Sequence, residues 1–202
     1  MNAGTSVGID LAGVETRSTG AALIDTLTKQ LVRHTVLHSD IEILDFISRC
    51  EPVFVVVVDA PLSLPKGRES LEIRSNIHFR ECDRELARRH LKFFPITLGP
   101  MRKLTARGIK LAAILRSQKY LVYEGYPGAA QDILKIPRKG AGVQGLAEGL
   151  RSLGLEFSKS ATHDELDAIT CAYIGLMHFT SRSELIGREE EGQILLPRLT
   201  NS

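Results

Sequence analysis

Carboxylates stand at the ends of three apolar stretches of the sequence. Asp10 ends SVGID, Asp59 follows VFVVVV, and Glu124 follows LVY, with Gly or Pro within three residues after each acid. Ligand sites in open α/β sheets lie beyond the carboxyl ends of the strands, so we expect these acids to lie close together. Three neighbouring carboxylates resist burial unless a cation compensates them, and oxygen ligands suit Mg²⁺ or Mn²⁺.

Two further acids, Asp164 and Asp167, lie in the segment THDELDAITCAYIGL. Three residues apart on a helix, they share nearly one face and can approach the same ions. A simpler interpretation is open for Asp164, because the helix dipole alone favours acids in the first turn. Asp10 and Asp59 have a simpler interpretation too, as turn or capping residues. Asp10, Asp59 and Asp167 are expected to converge on one ion-sized cluster. The predicted catalytic residues and metal ligands are Asp10, Asp59, Asp164 and Asp167, with Glu124 as a further ligand.

The elements that must position these acids follow from the pattern of apolar residues. Three early strands, SVGIDL, STGAALID and QLVRHTVLH, indicate an antiparallel meander. SDIEILDFISRC predicts a helix with Ser39 or Asp40 as its N-cap. The uninterrupted valine run predicts a strand that is covered on both faces.

The last third of the chain contains the clearest helix signal. Thr162 and Glu165 have the spacing of a capping box, and an apolar stripe follows. VQGLAEGLRSLGL predicts a helix before it, and QILLP resembles a short strand after it, beyond the charged loop REEEG. The stripe consists of Leu166, Ile169, Tyr173, Leu176 and Met177.

Basic residues are concentrated between Lys66 and Lys119, where 14 Lys and Arg face 5 Asp and Glu. FRECDRELARRHL and GPMRKLTARGIKLAAILR predict helices, so we interpret about 66–119 as a helical insertion. A basic block in an otherwise acidic chain favours an anionic partner such as nucleic acid, although solvated helix faces explain it equally well. The candidate nucleic-acid contacts are Arg102, Lys103, Arg107 and Lys110.

Length and composition are those of an ordinary globular protein. The 202 residues, 43% hydrophobic and 25% charged, fit one domain spanning 1–202. No apolar run approaches the roughly 20 residues that cross a bilayer, and the N-terminus lacks a secretory pattern. We expect a cytoplasmic protein without membrane partners, with its three cysteines reduced and mostly buried. A homodimer stays an open alternative to a monomer.

Five stretches together resemble domain-of-unknown-function family 429, a group of predicted nucleases with a ribonuclease H-like fold. They are VGIDLAG with TGAAL, VVVDAPLSLP, RECDRELARR, YEGYPGAA and HDELDAITCAYIGL, and they occur in the family's order over most of the chain. The resemblance implies an α/β fold with a five-stranded mixed sheet, three antiparallel strands followed by two parallel ones, and helices on both faces.

The resemblance also implies an acidic metal site at Asp10, Asp59, Asp164 and Asp167. The last two aspartates resemble the helix pair of the Holliday-junction resolvases, which share the fold. Those resolvases have glutamate where this chain has Asp59, and the basic block exceeds a simple crossover. Arg80 and Asp83 belong to the family motif, and we favour a structural ion pair for them over a phosphate contact.

The leading hypothesis is a metal-dependent nuclease, in which two Mg²⁺ or Mn²⁺ ions activate water for phosphodiester hydrolysis of DNA or RNA. A second hypothesis is a nucleotide-binding phosphotransfer protein, because GIDLAG with STG resembles the phosphate hairpin of the sugar kinase and actin-like superfamily. Those proteins enclose a nucleotide between two such domains, and this chain has the length of one. A third is a non-catalytic nucleic-acid binding module with the same fold.

Overall fold

The computed structural model describes residues 3–50 and 52–198. Within these residues one sheet contains all seven strands: β1 (Thr5–Asp10), β2 (Thr19–Asp25), β3 (Leu31–Leu37), β4 (Val53–Val58), β5 (Val122–Gly125), β6 (Ser183–Arg188) and β7 (Gly192–Pro197). Their spatial order is β3-β2-β1-β4-β5-β7-β6. The pairs β1–β2, β2–β3 and β6–β7 are antiparallel, whereas β1–β4, β4–β5 and β5–β7 are parallel.

The first five strands have the predicted arrangement, three antiparallel strands followed by two parallel ones. The predicted total of five is wrong, because β6 and β7 extend the sheet beyond β5. The strand-like stretch QILLP lies in β7. The edge strand β6 has the sequence SELIGR and is only partly buried, so it lacks the apolar run that would identify it.

Six α-helices lie in the described part of the chain: α1 (Asp40–Ser48), α2 (Glu81–Arg88), α3 (Gly99–Ser117), α4 (Pro127–Ile133), α5 (Val143–Ser152) and α6 (His163–Phe179). The predicted capping box begins α6 at Thr162, and of the two candidates for the N-cap of α1 the structure has Ser39, which also forms a capping box. The sequence did not reveal α4. No helix among the described residues has the length and apolar character needed to span a membrane.

Strand β4 is buried on both faces, which confirms the prediction from its valines. Val56 and Val58 join a core cluster with side chains of α1 and α3. Val55 and Val57 face the other way and pack with Cys171 of α6. Helices therefore cover both faces of the sheet.

Helix α6 lies close against the sheet because small residues of β1 and β2 face it. A Cβ atom at Gly8 would lie 2.0 Å from the carbonyl oxygen of Ala168, and one at Gly20 would lie 1.9 Å from that of Asp164. The Ser6 hydroxyl donates a 2.8 Å hydrogen bond to the carbonyl of Ala172. Because Gly20 pairs with Asp10 across β1 and β2, this approach brings the start of α6 beside Asp10.

The β1–β2 hairpin uses its STG residues for packing. Gly20 is covered by the backbone of α6, and the fully buried Thr19 accepts a 3.0 Å hydrogen bond from the Ala12 amide through its hydroxyl oxygen. These contacts explain Thr19 and Gly20 by packing, without a bound phosphate, and the phosphotransfer hypothesis stays a prediction.

The basic block is divided differently from the prediction. Helix α3 contributes Leu111, Ala112 and Leu115 to the core beside β4, so it is the crossover helix that parallel β4 and β5 require. The addition to the fold is the segment 60–98, which we call the insertion; it contains α2 and otherwise irregular chain. The long amphipathic pattern of α3 is that of a helix packed on a sheet, and the sequence alone did not separate it from the insertion.

Candidate active site

Four of the predicted acids meet at one cavity at the carboxyl edge of the sheet. The cavity, which we call the central cavity, has a volume of about 520 Å³ and is lined by Asp10, Asp59, Glu124 and Asp167. They come from the end of β1, the residue after β4, the interior of β5 and the second turn of α6. The sequence-based expectation that strand ends bring these acids together is met at the level of a shared cavity.

Asp10 and Asp59 are the half-buried members of this group. The Asp59 amide donates a 2.8 Å hydrogen bond to the carbonyl of Ile9, which continues the β1–β4 pairing to the last residue before the cavity. The Ala60 amide then bonds back to the carbonyl of Val58 at 2.9 Å, and the chain turns away from the sheet. The turn leaves the side chain of Asp59 at the cavity wall.

Asp167 is buried and held by a residue that the sequence analysis missed. The Gln131 amide nitrogen in α4 lies 2.8 Å from Oδ1 of Asp167 and 3.2 Å from Oγ1 of Thr170. The Thr170 hydroxyl donates in turn to the carbonyl of Leu166. Gln131 therefore fixes the orientation of the Asp167 carboxylate toward the cavity.

Asp164 lies outside the central cavity. It accepts a short hydrogen bond from the Ser18 hydroxyl, and it lines an adjoining groove with Asp10. The helix pair Asp164 and Asp167 is thus divided between a groove and the cavity, with Asp10 bordering both. The geometry does not assign Asp164 to the same ion as Asp167, and the role of Asp164 as a ligand stays a prediction.

The predicted metal site is not preformed among the described residues. Among the described residues, no group of three or more His, Cys, Asp or Glu side chains is placed to hold one metal ion. The predicted ion-sized cluster of Asp10, Asp59 and Asp167 is therefore wrong as a preformed site, although the three share a cavity. Their oxygen donors have the chemistry that Mg²⁺ requires, and Mg²⁺ is often held by one or two carboxylates with water and substrate phosphate completing its shell.

Glu124 is engaged by a buried arginine. Arg80, only 1% exposed, donates from Nη1 to Oε2 of Glu124 at 2.6 Å and from Nη2 to Oε1 at 2.7 Å. It also bonds both carboxylate oxygens of Asp83, and the Leu62 amide donates to Glu124 at 2.9 Å. We call Arg80, Asp83 and Glu124 the buried triad.

Electrostatics agree with a structural role for the buried triad. Burial opposes the charge of Arg80, but Glu124 and Asp83 outweigh that cost and hold the pKa of Arg80 above its usual value. Burial raises the pKa of Glu124, and Arg80 opposes that rise. Both oxygens of Glu124 are occupied by Arg80, so the structure contradicts its prediction as a metal ligand. The favoured structural ion pair of Arg80 with Asp83 is confirmed.

The four basic residues predicted to contact nucleic acid are not equivalent. Arg107 is buried and bonds Asp40 and the carbonyls of Ala12 and His38, so its predicted phosphate contact is wrong. Arg102 bonds the carbonyl of Leu71 and pairs with Glu72, which anchors the insertion to α3.

Lys103 and Lys110 are exposed, one and nearly three turns into α3. Lys103 lines the groove that Asp10 and Asp164 also border, whereas Lys110 lies outside the lining of this groove and of the central cavity. Arg107 is held by partners far from it in the sequence, Asp40, Ala12 and His38, which the local sequence does not reveal.

One part of the cavity wall is apolar and comes from the insertion and the first turns of α3. Phe93 packs edge to face on Phe79, with ring centroids 6.0 Å apart. The neighbouring Phe94 is 67% exposed although it lines the cavity. The apolar wall, as we call it, consists of Leu86, Phe93, Phe94, Ile96, Met101 and Leu104.

Tyr126 and Arg138 complete the cavity and were also missed. Arg138 pairs with Asp132 through Nε and Nη2, and its Nη1 would lie 3.0 Å from a Cβ atom at Gly128. Burial raises the pKa of Tyr126, Arg138 opposes the rise and Asp59 adds to it. Tyr126 lies in the quoted stretch YEGYPGAA, but no local pattern singles out Arg138.

The comparisons with known proteins agree with the architecture. No protein-family model and no curated protein sequence matches the chain. Among solved structures, T. thermophilus RuvC in complex with Holliday junction substrate matches over 94% of this chain and 98% of that chain, with a TM-score of 0.50 and 15% sequence identity. The fold is therefore an α/β fold of the ribonuclease H-like class, with seven strands in its sheet.

Proposed function

We propose that the chain is a metal-dependent nuclease related to domain-of-unknown-function family 429. The observation that carries the proposal is the meeting of Asp10, Asp59 and Asp167 at one cavity, on the carboxyl edge of a ribonuclease H-like sheet. A half-buried carboxylate at the end of a valine strand is costly for stability alone, so its presence favours a functional role.

Each residue of the cavity has its own proposed role. Asp10 and Asp59 would hold Mg²⁺ or Mn²⁺, and Asp167, oriented by Gln131, would bind the ion or its water. When bound, such an ion supplies an activated water and stabilises charge on the transferring phosphate. Arg138, which lines the same cavity and also pairs with Asp132, would bind a phosphate oxygen of the substrate. Asp164 is a further candidate ligand in the adjoining groove.

The proposed partner is nucleic acid. The RuvC structure contains a Holliday junction, but that substrate belongs to RuvC. This chain resembles RuvC in its fold. Lys103 and Arg138 border the acids as cations that suit phosphate, which supports an anionic polymer as substrate. The proposed substrate is DNA or RNA, and the proposed place of action is the cytoplasm.

A cleavage assay with substitution of the acids tests the proposal. Purified protein is incubated with single-stranded, duplex and branched DNA and RNA, with Mg²⁺, with Mn²⁺ or with EDTA. We expect metal-dependent cleavage, reduced at least about a hundredfold by Asp59→Asn, which removes a ligand charge. Asp45→Asn is the matched control, because Asp45 is an exposed acid in a surface pair with Arg49. No cleavage of any substrate, or equal loss in both variants, would overturn the proposal.

Thermal unfolding gives an independent measurement. Because an ion that binds only the folded state stabilises it, Mn²⁺ should raise the Tm of the parent protein. The rise should be much smaller in Asp59→Asn and unchanged in Asp45→Asn. An equal response of all three proteins would exclude Asp59 as a ligand, and Asp59 would then be a turn residue.

A further inference from the structure

The central cavity opens into a groove on each side. The hairpin groove, of about 850 Å³, shares Asp10, Leu11, Met101 and Leu104 with the cavity and runs along the β1–β2 turn. The insertion groove, of about 670 Å³, shares Phe93, Phe94, Tyr126 and Arg138 with it and runs along the end of α2. Each groove adjoins the cavity through these shared wall residues, and we call the cavity with its two grooves the path.

Cations line both ends of this path. The hairpin groove contains the exposed Arg17 and Lys103, and the insertion groove contains the exposed Lys92 together with Arg138. Lys and Arg on either side of a group of carboxylates match a polyanion whose phosphates lie in the grooves while one of them crosses the acids. An isolated small anion would use only one of these ends.

The apolar wall suits a nucleobase better than a charged phosphate. Phe94 is exposed at the junction of the cavity and the insertion groove, and Met101 and Leu104 stand at the junction with the hairpin groove. Aromatic side chains beside a cationic groove are the platform on which proteins stack unpaired bases. The cavity volume of about 520 Å³ lies in the roughly 300–1,000 Å³ range of ligand pockets, large enough for one nucleotide.

We propose that the substrate is a single-stranded segment of nucleic acid, which follows the path through both grooves and places one unpaired base against the apolar wall. The inference rests on the proposed nuclease function and adds its substrate class. A base inside a duplex would first have to leave its stack at a cost of about a few kcal/mol, so paired substrates are disfavoured. The insertion supplies four of the six wall residues, and Phe93, Phe94 and Ile96 are therefore the proposed specificity-determining residues.

Binding without metal tests the inference apart from cleavage. In EDTA, fluorescence anisotropy compares a labelled single-stranded oligonucleotide with a fully paired hairpin of equal length, and 2-aminopurine in the strand reports base stacking. We expect the single strand to bind at least about tenfold more tightly, with quenched 2-aminopurine emission. Phe94→Ala should weaken that binding about tenfold and restore the emission.

Leu98→Ala is the matched control. Leu98 is an exposed apolar residue directly before α3, but it lines none of the three spaces. Equal affinity for the single strand and the hairpin, or equal effects of Phe94→Ala and Leu98→Ala, would overturn the inference. Cleavage separates the two proposals. Equal cleavage of paired and unpaired substrates overturns the substrate class and keeps the nuclease, whereas Phe94-dependent strand binding without any metal-dependent cleavage keeps the binding path and overturns the nuclease.

Discussion

Asp59 and Glu124 stand at the ends of neighbouring parallel strands but are used in opposite ways. Glu124 lies opposite Val58 in the β4–β5 register, one residue before the level of Asp59. Glu124 is buried, and Arg80 binds both of its carboxylate oxygens. Asp59 is half-buried at the wall of the central cavity. Two acids in nearly the same sequence context therefore have a structural role and a candidate functional role.

The difference teaches how the fold distributes charge at this edge. A fully buried carboxylate needs a partner of opposite charge and satisfied hydrogen bonds, and the insertion supplies Arg80 for that purpose. Asp59, which is half-buried at the cavity wall, keeps contact with solvent and with any ligand that enters. The same division separates the buried Arg107 from the exposed Lys103 on α3. In these two comparisons, burial and pairing separate the structural charge from the candidate binding charge.

The largest expected effect is a loss of stability when the buried triad loses its arginine. Arg80→Met leaves Glu124 and Asp83 buried without their cation, and we expect it to lower the free energy of unfolding by about 3–5 kcal/mol. Chemical denaturation at neutral pH measures the loss. The double variant Arg80→Met with Glu124→Gln should be more stable than Arg80→Met alone, because it removes one uncompensated buried charge.

Arg84→Met is the control for this prediction, because Arg84 is about half exposed and pairs with Glu81 only at 3.5 Å. Its cost should stay within about 0.5 kcal/mol. A similar cost for Arg80→Met and Arg84→Met would mean that the buried triad does not stabilise the fold.

The second effect concerns the close approach that brings α6 to the cavity. Gly20→Ala would place a Cβ atom 1.9 Å from the Asp164 carbonyl oxygen, so the start of α6 must move. We expect a loss of about 1–3 kcal/mol in unfolding free energy, with reduced cleavage because Asp167 moves with the helix. Gly99→Ala is the control, because a Cβ atom there meets nothing within 4 Å. Unchanged stability of Gly20→Ala would contradict the packing argument.

A third effect follows from the acid that caps α6. Burial raises the pKa of Glu165, but hydrogen bonds from Thr162 and His34 outweigh it and lower that pKa. Its charge thus stabilises the fold fully above the ordinary pKa of 4.5, and the contribution is lost as pH falls through the lowered value. We expect Glu165→Gln to cost about 1 kcal/mol at pH 7, with a difference from the parent that shrinks in acid.

Unfolding of both proteins between pH 7 and pH 3 measures this difference. The exposed Glu156 provides the control substitution Glu156→Gln, for which we expect no pH-dependent difference of this size. A difference between Glu165→Gln and the parent that widened toward acid pH would have the wrong sign for a lowered pKa.

The smallest expected effect is a change in the salt dependence of nucleic-acid binding, which compares two exposed lysines of α3. Lys103 lines the hairpin groove and Lys110 does not, although both are exposed on α3. For single-stranded nucleic acid, Lys103→Ala should reduce the slope of log K against log salt by about 0.7, the value for one phosphate contact. Lys110→Ala should leave the slope unchanged. Equal slopes in both variants would assign Lys103 to the solvated surface.

The sequence by itself determined the features whose causes are local. The unbroken valines of β4 predicted a doubly buried strand, and the spacing of Thr162 and Glu165 predicted the start of α6. The acids at the strand ends also predicted which edge of the sheet carries the candidate site. These features depend on periodicity and capping within a few residues, and any parallel sheet brings its carboxyl ends together.

Only the tertiary structure decided which charges are used inside the protein. Arg80 reaches Glu124 across 44 residues, and Arg107 reaches Asp40 across 67. The sequence offered Arg107 as a phosphate contact or a solvated charge, and for Arg80 it favoured an ion pair with Asp83 but gave no sign of Glu124, because the burial of both arginines is produced by distant elements. The same holds for Gln131, Arg138 and the apolar wall, which lie far from the acids in the sequence and meet them only in the folded chain. Whether a charge is buried and paired depends on residues that are distant in the sequence and packed around it, so local sequence patterns do not predict it.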